Sequence, residues 1–530
     1  MKTIRLIILG SLCSFAVLAQ NRYYVNQTKG SDTNDGSSWS NAFATLQLAI
    51  DETKTGDEIW VAAGVYLPTK KLQETDSEGN PTSQRLQTFL IPNGVKLYGG
   101  FPAQADNNTG MVQRDWERNT TILSGDFNHD DRDDFSRMEE NAYHVVSLFN
   151  ADESTVIDGF TITGGNVDYF VPLRMLLGSG IYAVSGNGIS SPTLRNLIIE
   201  GNVSKGGGAG FSNDSNGDAY PVIINTIIRR NKSGEYGGGF ANYGRNKSAP
   251  ILENVIISGN EAYKGGGMYC ISETLETSPV LTNVLVSGNR SESDAGGIYL
   301  NSYAGNVKPV LTNVTITSNK AGNVVGGLLC YANPGISSPE IRNTVMWGNK
   351  AKVMEWYDFY NEDNNDTQAD LQNCLIGDQI NWPLFVPVPS YPGFVRAIDA
   401  DFAPIIEGDY RPDNGSHLIN KGNNTFVTTT VDLAGKPRIF DQTVDIGAYE
   451  YQDIFSANMP TPSAAKHIWS EAGNLYVSID QPAIVRIYSV DGRLVQHISM
   501  SEGVKAISLP SGFYLVSVNN EMTAKVFVSK

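Results

Sequence analysis

Short apolar runs recur through the middle of the chain, and each run is bounded by two asparagines. Asn254-Val-Ile-Ile-Ser-Gly-Asn260 is one copy, and its first asparagine returns every 29 or 30 residues in the other copies. These first asparagines are Asn196, Asn225, Asn254, Asn283, Asn313, Asn343 and Asn373. An aliphatic residue stands two positions before each one, and glycine runs such as Gly237-Gly-Gly239 separate the copies. A fixed period of this length predicts stacked units instead of one globular core.

The composition of each repeat favours strands over helices. Every copy holds short β-branched runs between Gly, Asn and Pro, with no apolar stripe of helical length. Parallel stacking of such coils, about 4.8 Å apart, predicts an all-β fold, a right-handed parallel β-helix. The aliphatic residue before the first asparagine then points inward, as do the first and third residues after it, for example Val255 and Ile257.

Asparagine and glycine, the two residue types that separate the apolar runs, are expected at the corners of each coil. The inward phase changes across the first asparagine, so that residue is predicted in a turn, where its side chain can bond the asparagine of the next coil. The glycine runs are predicted at another corner, where a side chain would clash or a positive φ is required.

The first residues of the chain have the pattern of a signal peptide. Lys2 and Arg5 form a positive region, residues 6–18 are apolar, and Val17 and Ala19 fit the small-residue rule for cleavage. We therefore predict a signal peptide over residues 1–19 and export of the protein. Since the sequence has no other long apolar run, no transmembrane helix is expected in the mature chain.

The segment after the signal peptide combines a strand, a Gly/Asp turn and a short amphipathic helix. The relevant stretches are Arg22-Tyr-Tyr-Val-Asn26, Gly30-Ser-Asp-Thr-Asn-Asp-Gly36, Ala42–Ile50 and Gly56–Tyr66. They resemble the N-terminal cap of secreted bacterial β-helix proteins, including pectate-lyase-like ones. The resemblance implies a cap over residues 20–84 that plugs the open end of the solenoid. The right-handed parallel β-helix is then expected over residues 85–400.

A second resemblance covers the end of the solenoid. Asp409-Tyr-Arg-Pro412, Asp432-Leu-Ala-Gly-Lys-Pro-Arg438 and Val444-Asp-Ile-Gly-Ala-Tyr-Glu450 follow one another. Their order is similar to the end of bacterial "choice-of-anchor" β-helix proteins. Residues 401–451 are accordingly expected to close the β-helix region, and residues 452–467, with Pro460 and Pro462, to form a linker.

The last residues read as a small all-β module over residues 468–530. Asp491-Gly492 between apolar runs predicts a hairpin. Tyr488…Asp491-Gly-Arg493, Leu509-Pro-Ser-Gly-Phe-Tyr514 and the Lys-terminated last strand resemble the C-terminal sorting domain of the type IX secretion system of Bacteroidetes. The resemblance implies a β-sandwich-like domain, the type IX machinery as a partner, and an extracellular or outer-membrane surface location.

The net charge limits the class of partner, and the cysteine positions limit the disulfides that can form. A net charge of −17 argues against nucleic acid as a partner. Cys270 and Cys330 fall at the same coil position two coils apart, about 10 Å by the strand spacing. That separation exceeds the limit of roughly 7 Å for a disulfide, so both are predicted to be buried core thiols.

No catalytic constellation stands out on the repeats. No histidine lies between residues 145 and 416, which excludes a His-based nucleophile or metal site there. Hydrolases of this fold carry paired aspartates and a Gly-His-Gly on adjacent coils, and neither occurs here. A lyase would need a Lys or Arg base beside Ca²⁺ held by carboxylates, and no such base is evident.

Two sets of residues are candidates for binding. Asp126, Asn128, Asp130 and Asp134 place oxygen ligands at alternate positions and predict a structural Ca²⁺ site. Tyr182, Tyr269 and Tyr299 occupy one position of three coils, predicted to face outward as an exposed strip that stacks on sugar rings, with Asn301 beside it. For each set the alternative is open: a solvated acidic loop, and a ladder that only stabilises the solenoid.

Two classes of function remain open. The first is a non-enzymatic surface protein that binds a polysaccharide or a host or cell-surface glycan and mediates adhesion. The second is a polysaccharide-active enzyme of the pectate-lyase-like class, a lyase in the first place. The missing acid pairs and the missing histidines favour the first class.

Overall fold

The computed structural model describes the chain in two units. The first holds residues 20–75, 82–168, 176–186, 188–353, 358–363, 369–377 and 391–452; the second holds residues 467–471, 474–479, 482–489, 493–518 and 521–528. The predicted signal peptide, residues 1–19, lies outside the described residues. In the described part of the chain, no helix combines the length and the apolar character needed to cross a membrane.

The first unit is a parallel β-helix, as the repeat predicted. Its largest sheet, here the asparagine sheet, contains the strands Arg22–Val25, Glu58–Ala62, Gly64–Tyr66, Lys96–Phe101, Thr121–Ser124, Val156–Asp158, Thr161–Thr163, Thr193–Arg195, Ile198–Glu200, Val222–Arg229, Ile251–Ser258, Val280–Ser287, Val310–Thr312, Thr315–Thr317, Glu340–Arg342, Val345–Trp347, Asp370–Gln372 and Leu375–Ile376. Each strand pairs in parallel with the strand one coil away.

Further parallel sheets complete each coil. The tyrosine sheet contains Phe89–Ile91, Val146–Phe149, Ile181–Ser185, Phe211–Ser215, Phe240–Gly244, Met268–Ser272, Ile298–Ser302, Leu328–Ala332 and Phe359–Asp363. The narrow sheet contains Asn166–Val167, Val203–Ser204, Lys232–Ser233, Glu261–Ala262, Arg290–Ser291, Lys320–Ala321 and Lys350–Ala351. Three coils add a short sheet of Lys247–Ser248, Glu276–Thr277 and Asn306–Val307.

The interior of the solenoid is a column of aliphatic side chains in register. Leu252, Leu281 and Leu311 are partners on successive coils, and each is at most 1% exposed. Val255 and Ile257 are also fully buried in the same cluster. The inward phase predicted from the sequence is therefore confirmed on both sides of the asparagine.

The two asparagines of each repeat have different structural roles. The first has a left-handed backbone, with φ of 54° at Asn254 and 52° at Asn283, which bends the asparagine sheet as predicted. The second forms a buried ladder: Asn260 Nδ2 donates to Asn289 Oδ1 at 3.0 Å and to the Ile228 carbonyl at 3.0 Å. The expected bond from the first asparagine to that of the next coil is present in two pairs, Asn225 to Asn196 and Asn283 to Asn254. The ladder that continues from coil to coil runs through the second asparagine.

The glycine runs give this ladder its space. A Cβ on Gly239 would stand 2.8 Å from the Gly267 carbonyl oxygen and 2.9 Å from Asn260 Nδ2. Both distances are shorter than ordinary van der Waals contacts, so any side chain here would push the coils apart. The predicted reason for the glycines, a clash at a corner, is confirmed.

The N-terminal segment, assigned to a cap over residues 20–84, is continuous with the solenoid. Arg22–Val25 pairs in parallel with Glu58–Ala62, which pairs onward with Lys96–Phe101. The helix Leu46–Glu52 packs its buried face, Leu46, Ala49 and Ile50, into the core of the β-helix. Short 3₁₀ turns occupy Trp39–Asn41, Gln84–Leu86 and Met111–Gln113.

The C-terminal segment, residues 391–452, lies along the outside of the asparagine sheet. It contains the antiparallel strands Phe394–Arg396 and Asp409–Pro412 and the 3₁₀ turns Ala400–Phe402 and Asn424–Phe426. Its side chains pack on outward-facing residues of the sheet in one buried cluster, Leu285, Val345, Leu375, Phe394, Tyr410, Leu418 and Ile446. Among the described residues, the last strand of the parallel ladder is Leu375–Ile376.

A buried ionic network holds the end of this segment. The Arg438 side chain is 1% exposed, and its Nη2 donates to the carbonyls of Asp445 at 3.0 Å and Gly447 at 2.9 Å. Glu450 lies 3.7 Å away, and Asp432 accepts from the Glu450 amide at 2.8 Å. Burial lowers the pKa of Arg438 and raises the pKa of Glu450. These are residues of the two motifs that resemble the choice-of-anchor group, and their place here is structural.

The second unit is all antiparallel β. One sheet contains His467–Glu471, Asn474–Ile479 and Gly503–Ser508; the other contains Ala483–Ser489, Leu494–Met500, Gly512–Val518 and Glu521–Val528. The two sheets share one buried cluster that includes Val477, Val485 and Val516. The hairpin predicted around Asp491-Gly492 is present in its two strands, while the turn lies outside the described residues.

Two cysteines of the solenoid, Cys270 and Cys330, are core thiols, as predicted. Cys270 and Cys330 are free, fully buried, and separated in the tyrosine sheet by Leu300 of the intervening coil. Burial raises the pKa of both thiols, so they remain protonated near neutral pH.

Candidate functional site

The predicted tyrosine strip is not exposed. Tyr269 and Tyr299 are neighbours in the stack, with ring centroids 5.4 Å apart, but their side chains are only 3% and 7% exposed. Tyr182 is 5% exposed and stacks on His144, and Asn301 is 5% exposed. The prediction of an exposed aromatic face at these four positions is therefore wrong.

The turns that carry the glycine runs cover Tyr269 and Tyr299. Tyr236 stacks on Tyr269 with centroids 4.8 Å apart, and Ala295 and Val325 join the same buried cluster. All three precede a glycine run by one residue, so each turn folds over the outer surface of the next coil. The apolar residues directly before the glycine runs were the feature of the sequence that could have predicted this buried cluster outside the solenoid.

The predicted calcium ligands are only partly brought together. Asp126 lies in a carboxylate cluster, and its partners are Asp131 and Glu140, whose oxygens lie within 4.8 Å of each other. Asn128 and Asp134 are exposed, and Asp134 accepts hydrogen bonds from Ser136 instead. The predicted set is thus corrected at Asn128 and Asp134, while Asp130 keeps one buried oxygen beside the cluster without a partner among the described residues.

The carboxylates of the cluster repel one another, and several of their buried oxygens have no partner among the described residues. Within the described chain, buried side-chain oxygens of Asp131, Glu140 and Asn141 have no hydrogen-bond partner. Burial raises the pKa of Asp131 to about 6, and the charges of Asp126 and Glu140 add to the rise. A divalent cation bound by oxygen ligands would relieve both effects.

Two arginines form ion pairs with the acidic loop, residues 126–140, one of them from within the loop. This differs from the expectation that no base would stand there. Arg137 Nη1 lies 3.4 Å from Asp130 Oδ2, and Arg230 Nη2 lies 2.6 Å from Asp133 Oδ1. Arg230 belongs to a coil of the solenoid, so the acidic loop is tied to the repeat region by this ion pair.

Calcium is expected to stabilise the protein through Asp131. Since the pKa of Asp131 is raised from 3.8 to about 6 on folding, the ion-free protein loses stability as the pH rises from about 4 to about 6. At pH 7, Ca²⁺ at about 100 times its Kd should add roughly 2.7 kcal/mol to the free energy of unfolding. Calorimetry and thermal unfolding with Ca²⁺ or EDTA measure the effect.

Two variants separate the cluster from the set predicted by residue spacing. Asp131→Asn should abolish the calcium-dependent rise in unfolding temperature, whereas Asp134→Asn should leave it unchanged, because Asp134 lies outside the carboxylate cluster and accepts its hydrogen bonds from Ser136. Equal calcium responses in the wild type and in Asp131→Asn would rule out this site.

A cleft of about 410 Å³ opens on the outer face of the asparagine sheet. It is called the asparagine cleft here, and its lining residues are Trp116, Glu117, Asn196, Asn225, Thr226, Ile227, Asn254, Ile256, Val431, Asp432, Leu433, Ala434 and Gly435. Trp116 comes from an N-terminal loop that approaches Gly100, where a Cβ would stand 2.7 Å from the Trp116 Cα. Residues 431–435 come from the C-terminal segment, so segments before and after the repeats both line the cleft.

The asparagine column is interrupted in the middle of this cleft. Asn225 Nδ2 donates to Asn196 Oδ1 at 3.4 Å, and Asn283 Nδ2 donates to Asn254 Oδ1 at 3.0 Å. No hydrogen bond joins Asn225 to Asn254, and among the described residues Asn225 Oδ1 and Asn254 Nδ2 have no partner. The floor of the cleft thus offers one free acceptor and one free donor on adjacent coils.

The C-terminal segment covers the rest of the same column. There the first asparagines donate to backbone carbonyls of the segment, Asn283 to Val431 at 2.8 Å, Asn313 to Asp445 at 3.4 Å, Asn343 to Asn423 at 3.0 Å and Asn373 to Lys421 at 3.0 Å. The open asparagines are consequently confined to the cleft. The sequence singled out these residues as turn formers, and their second role as binding groups was missed.

Comparison with solved structures shows structural similarity at low sequence identity. The sequence matches no protein-family model and no curated protein. The structure is similar to pectate lyase Pel9A, with 14% identity, a TM-score of 0.43 and coverage of 82% of this chain and 98% of that one. It is also similar to a rhamnogalacturonan lyase, with 12% identity, a TM-score of 0.29 and coverage of 71% and 90%.

Proposed function

We propose that the protein binds an uncharged glycan chain in the asparagine cleft. The observation that carries the proposal is the unpaired donor and acceptor of Asn254 and Asn225 on adjacent coils. A sugar hydroxyl both donates and accepts one hydrogen bond, so a single hydroxyl satisfies both amides at once.

The remaining lining of the cleft fits the same ligand. Trp116, Ile227 and Ile256 supply apolar surface for the C–H face of a sugar ring. No Lys or Arg is among the described residues that line the cleft, and Glu117 carries a negative charge. A chain of uronic acids would be repelled there, which favours neutral sugars over acidic ones.

Removing the two free amide groups should weaken binding strongly. Asn225→Gly combined with Asn254→Gly keeps the left-handed backbone available and deletes both hydrogen bonds. Each is worth about 1 kcal/mol, so the Kd should rise roughly thirtyfold. A glycan array selects the tightest neutral oligosaccharide, and calorimetry then compares the variant with the wild type.

Asn420→Gly is the matched control for this experiment. Asn420 also has a positive φ, of 55°, but lies outside the cleft, so its replacement should leave the Kd unchanged. Undiminished binding by the double variant would refute the proposal, as would tighter binding of polygalacturonate than of every neutral glycan.

A polysaccharide lyase is the second candidate, and one feature favours it. Arg230 and Lys232 line a groove of about 550 Å³ beside Asp133 and Asp134 of the acidic loop. A cation held by the acidic cluster together with a basic side chain is the combination that a lyase requires. Formation of unsaturated uronic-acid products with Ca²⁺, lost in Arg230→Ala, would replace the binding proposal by this one.

Surface display is proposed on the strength of the two terminal signals. The apolar N-terminal run and the C-terminal module resemble, respectively, a signal peptide and a type IX sorting domain. Deleting residues 465–530 should leave the protein in the periplasm, which cell fractionation and surface labelling measure. Normal surface display of the truncated chain would remove this part of the proposal.

A further inference from the structure

A small pocket of about 170 Å³ lies on the outer face of the tyrosine sheet, away from the asparagine cleft. Its lining residues are Asp214, Ser215, Asn216, Tyr236, Tyr243, Gly244, Arg245, Tyr269, Ile271, Glu273 and Tyr303. Four of them are tyrosines from neighbouring coils and turns. Tyrosines thus make up more than a third of the residues that line the pocket.

The tyrosine rings stand in different orientations around the pocket. Tyr236 stacks on Tyr269 with an angle of 24° between the ring planes, while Tyr243 meets Tyr269 at 49° with centroids 6.0 Å apart. The Tyr243 hydroxyl is buried above Gly207, where a Cβ would stand 2.1 Å from it. Tyr303 is 59% exposed and forms the solvent side. Three rings thus pack against one another, and the exposed Tyr303 ring borders the pocket.

The charged groups that line the pocket are two carboxylates and the guanidinium of Arg245, and one carboxylate is unpaired. Asp214 is partly buried, and among the described residues it forms no side-chain hydrogen bond or ion pair. Burial raises the pKa of Asp214, and the charge of Glu273 adds to the rise. Glu273 lies 3.7 Å from Arg245, both well exposed. Asp214 is therefore the carboxylate of the pocket that lacks a partner, and it lines the pocket together with the tyrosine rings.

We propose that this pocket binds an organic cation, an ammonium or quaternary ammonium group. The faces of tyrosine rings are negative and attract a cation within about 6 Å, and the Asp214 carboxylate supplies the opposite full charge. A neutral sugar or an anion would leave Asp214 without a counter-charge. The pocket is formed by another sheet than the asparagine cleft, so it is independent of the proposed glycan binding.

The first test compares a cation with its uncharged isostere. Calorimetry with choline and with 3,3-dimethylbutan-1-ol, which has the same shape without the charge, should show choline binding about tenfold more tightly. Ethanolamine and glucosamine serve as primary-ammonium probes, and their rank against choline distinguishes a quaternary headgroup from a free amine or an amino sugar. Equal binding of choline and the isostere, or no binding of any cation at millimolar concentration, would overturn the proposal.

Variants then locate the binding in this pocket. Asp214→Asn has nearly the same shape and should weaken choline binding about tenfold, and Tyr303→Leu should weaken it by several-fold because it keeps apolar surface but removes the ring. Asp218→Asn is the control, since Asp218 bonds Tyr220 and does not line the pocket. Thermal unfolding verifies that each variant is folded. Choline binding that is unchanged in folded Asp214→Asn would also overturn the proposal.

Discussion

Replacing Ile257 by aspartate is expected to prevent the first unit from folding. Ile257 is fully buried and lies in register between Ile228 and Val286 of the neighbouring coils. A carboxylate there would have no partner in the aliphatic column, and an uncompensated buried charge costs about 3–5 kcal/mol or more. Each coil is one layer thick, so the defect interrupts the stack on both sides. Soluble yield and circular dichroism measure the outcome.

The same substitution six residues earlier provides the control. Ile251 belongs to the same strand, Ile251–Ser258, but it faces outward and is 43% exposed. Ile251→Asp should fold with nearly the wild-type unfolding midpoint. If Ile257→Asp unfolds at the same temperature as Ile251→Asp, the inward column does not carry the stability assigned to it.

Replacing Arg438 by leucine is expected to release the C-terminal segment from the solenoid. The substitution leaves Glu450 buried without its cation and removes the donors to the carbonyls of Asp445 and Gly447. Burial already raises the pKa of Glu450 to about 8, so most of the cost comes from the two buried carbonyls that lose their donor, at about 1–3 kcal/mol each. Limited proteolysis should cut residues 391–452 much faster than in the wild type, and hydrogen exchange should rise in the same range.

Two further variants test the cause of that effect. Arg411→Leu removes an ion pair with Asp409 that is largely exposed on the arginine side, and it should cost at most about 1 kcal/mol. Adding Glu450→Gln to Arg438→Leu should recover part of the loss, because no carboxylate charge then remains at that position. Wild-type proteolysis rates in Arg438→Leu would contradict the structural role of the network.

The repeat region was predictable because its interactions are local and periodic. The spacing of 29 or 30 residues places like residues on successive coils, so the inward phase of Leu252 and Ile257 follows from alternation alone. The left-handed backbone at Asn254 follows from the phase change across it. The free, buried state of Cys270 and Cys330 follows from the coil spacing. Each of these needs only the coil and its two neighbours.

The outer surfaces were harder to predict, for two separate physical reasons. The alternation of side chains along a strand predicts that Tyr269 points away from the axis of the solenoid. It does not predict that Tyr236 of the preceding turn lies on top of Tyr269. In the acidic loop the expected alternate ligands assumed an extended chain, whereas His129, Phe135 and Arg137 all have positive φ. The backbone turns at these residues, which separates Asp134 from Asp126 and brings in Glu140.

The column of first asparagines shows what the sequence determines and what the tertiary structure decides. The sequence alone determines that an asparagine recurs in each coil and bends the chain there, because the residues that impose this lie within one repeat. Only the tertiary structure decides which of these asparagines can bind a ligand. The segment that covers Asn283 and Asn313 lies more than 100 residues further along the chain. It stops short of Asn225, and contacts of that range follow no period in the sequence.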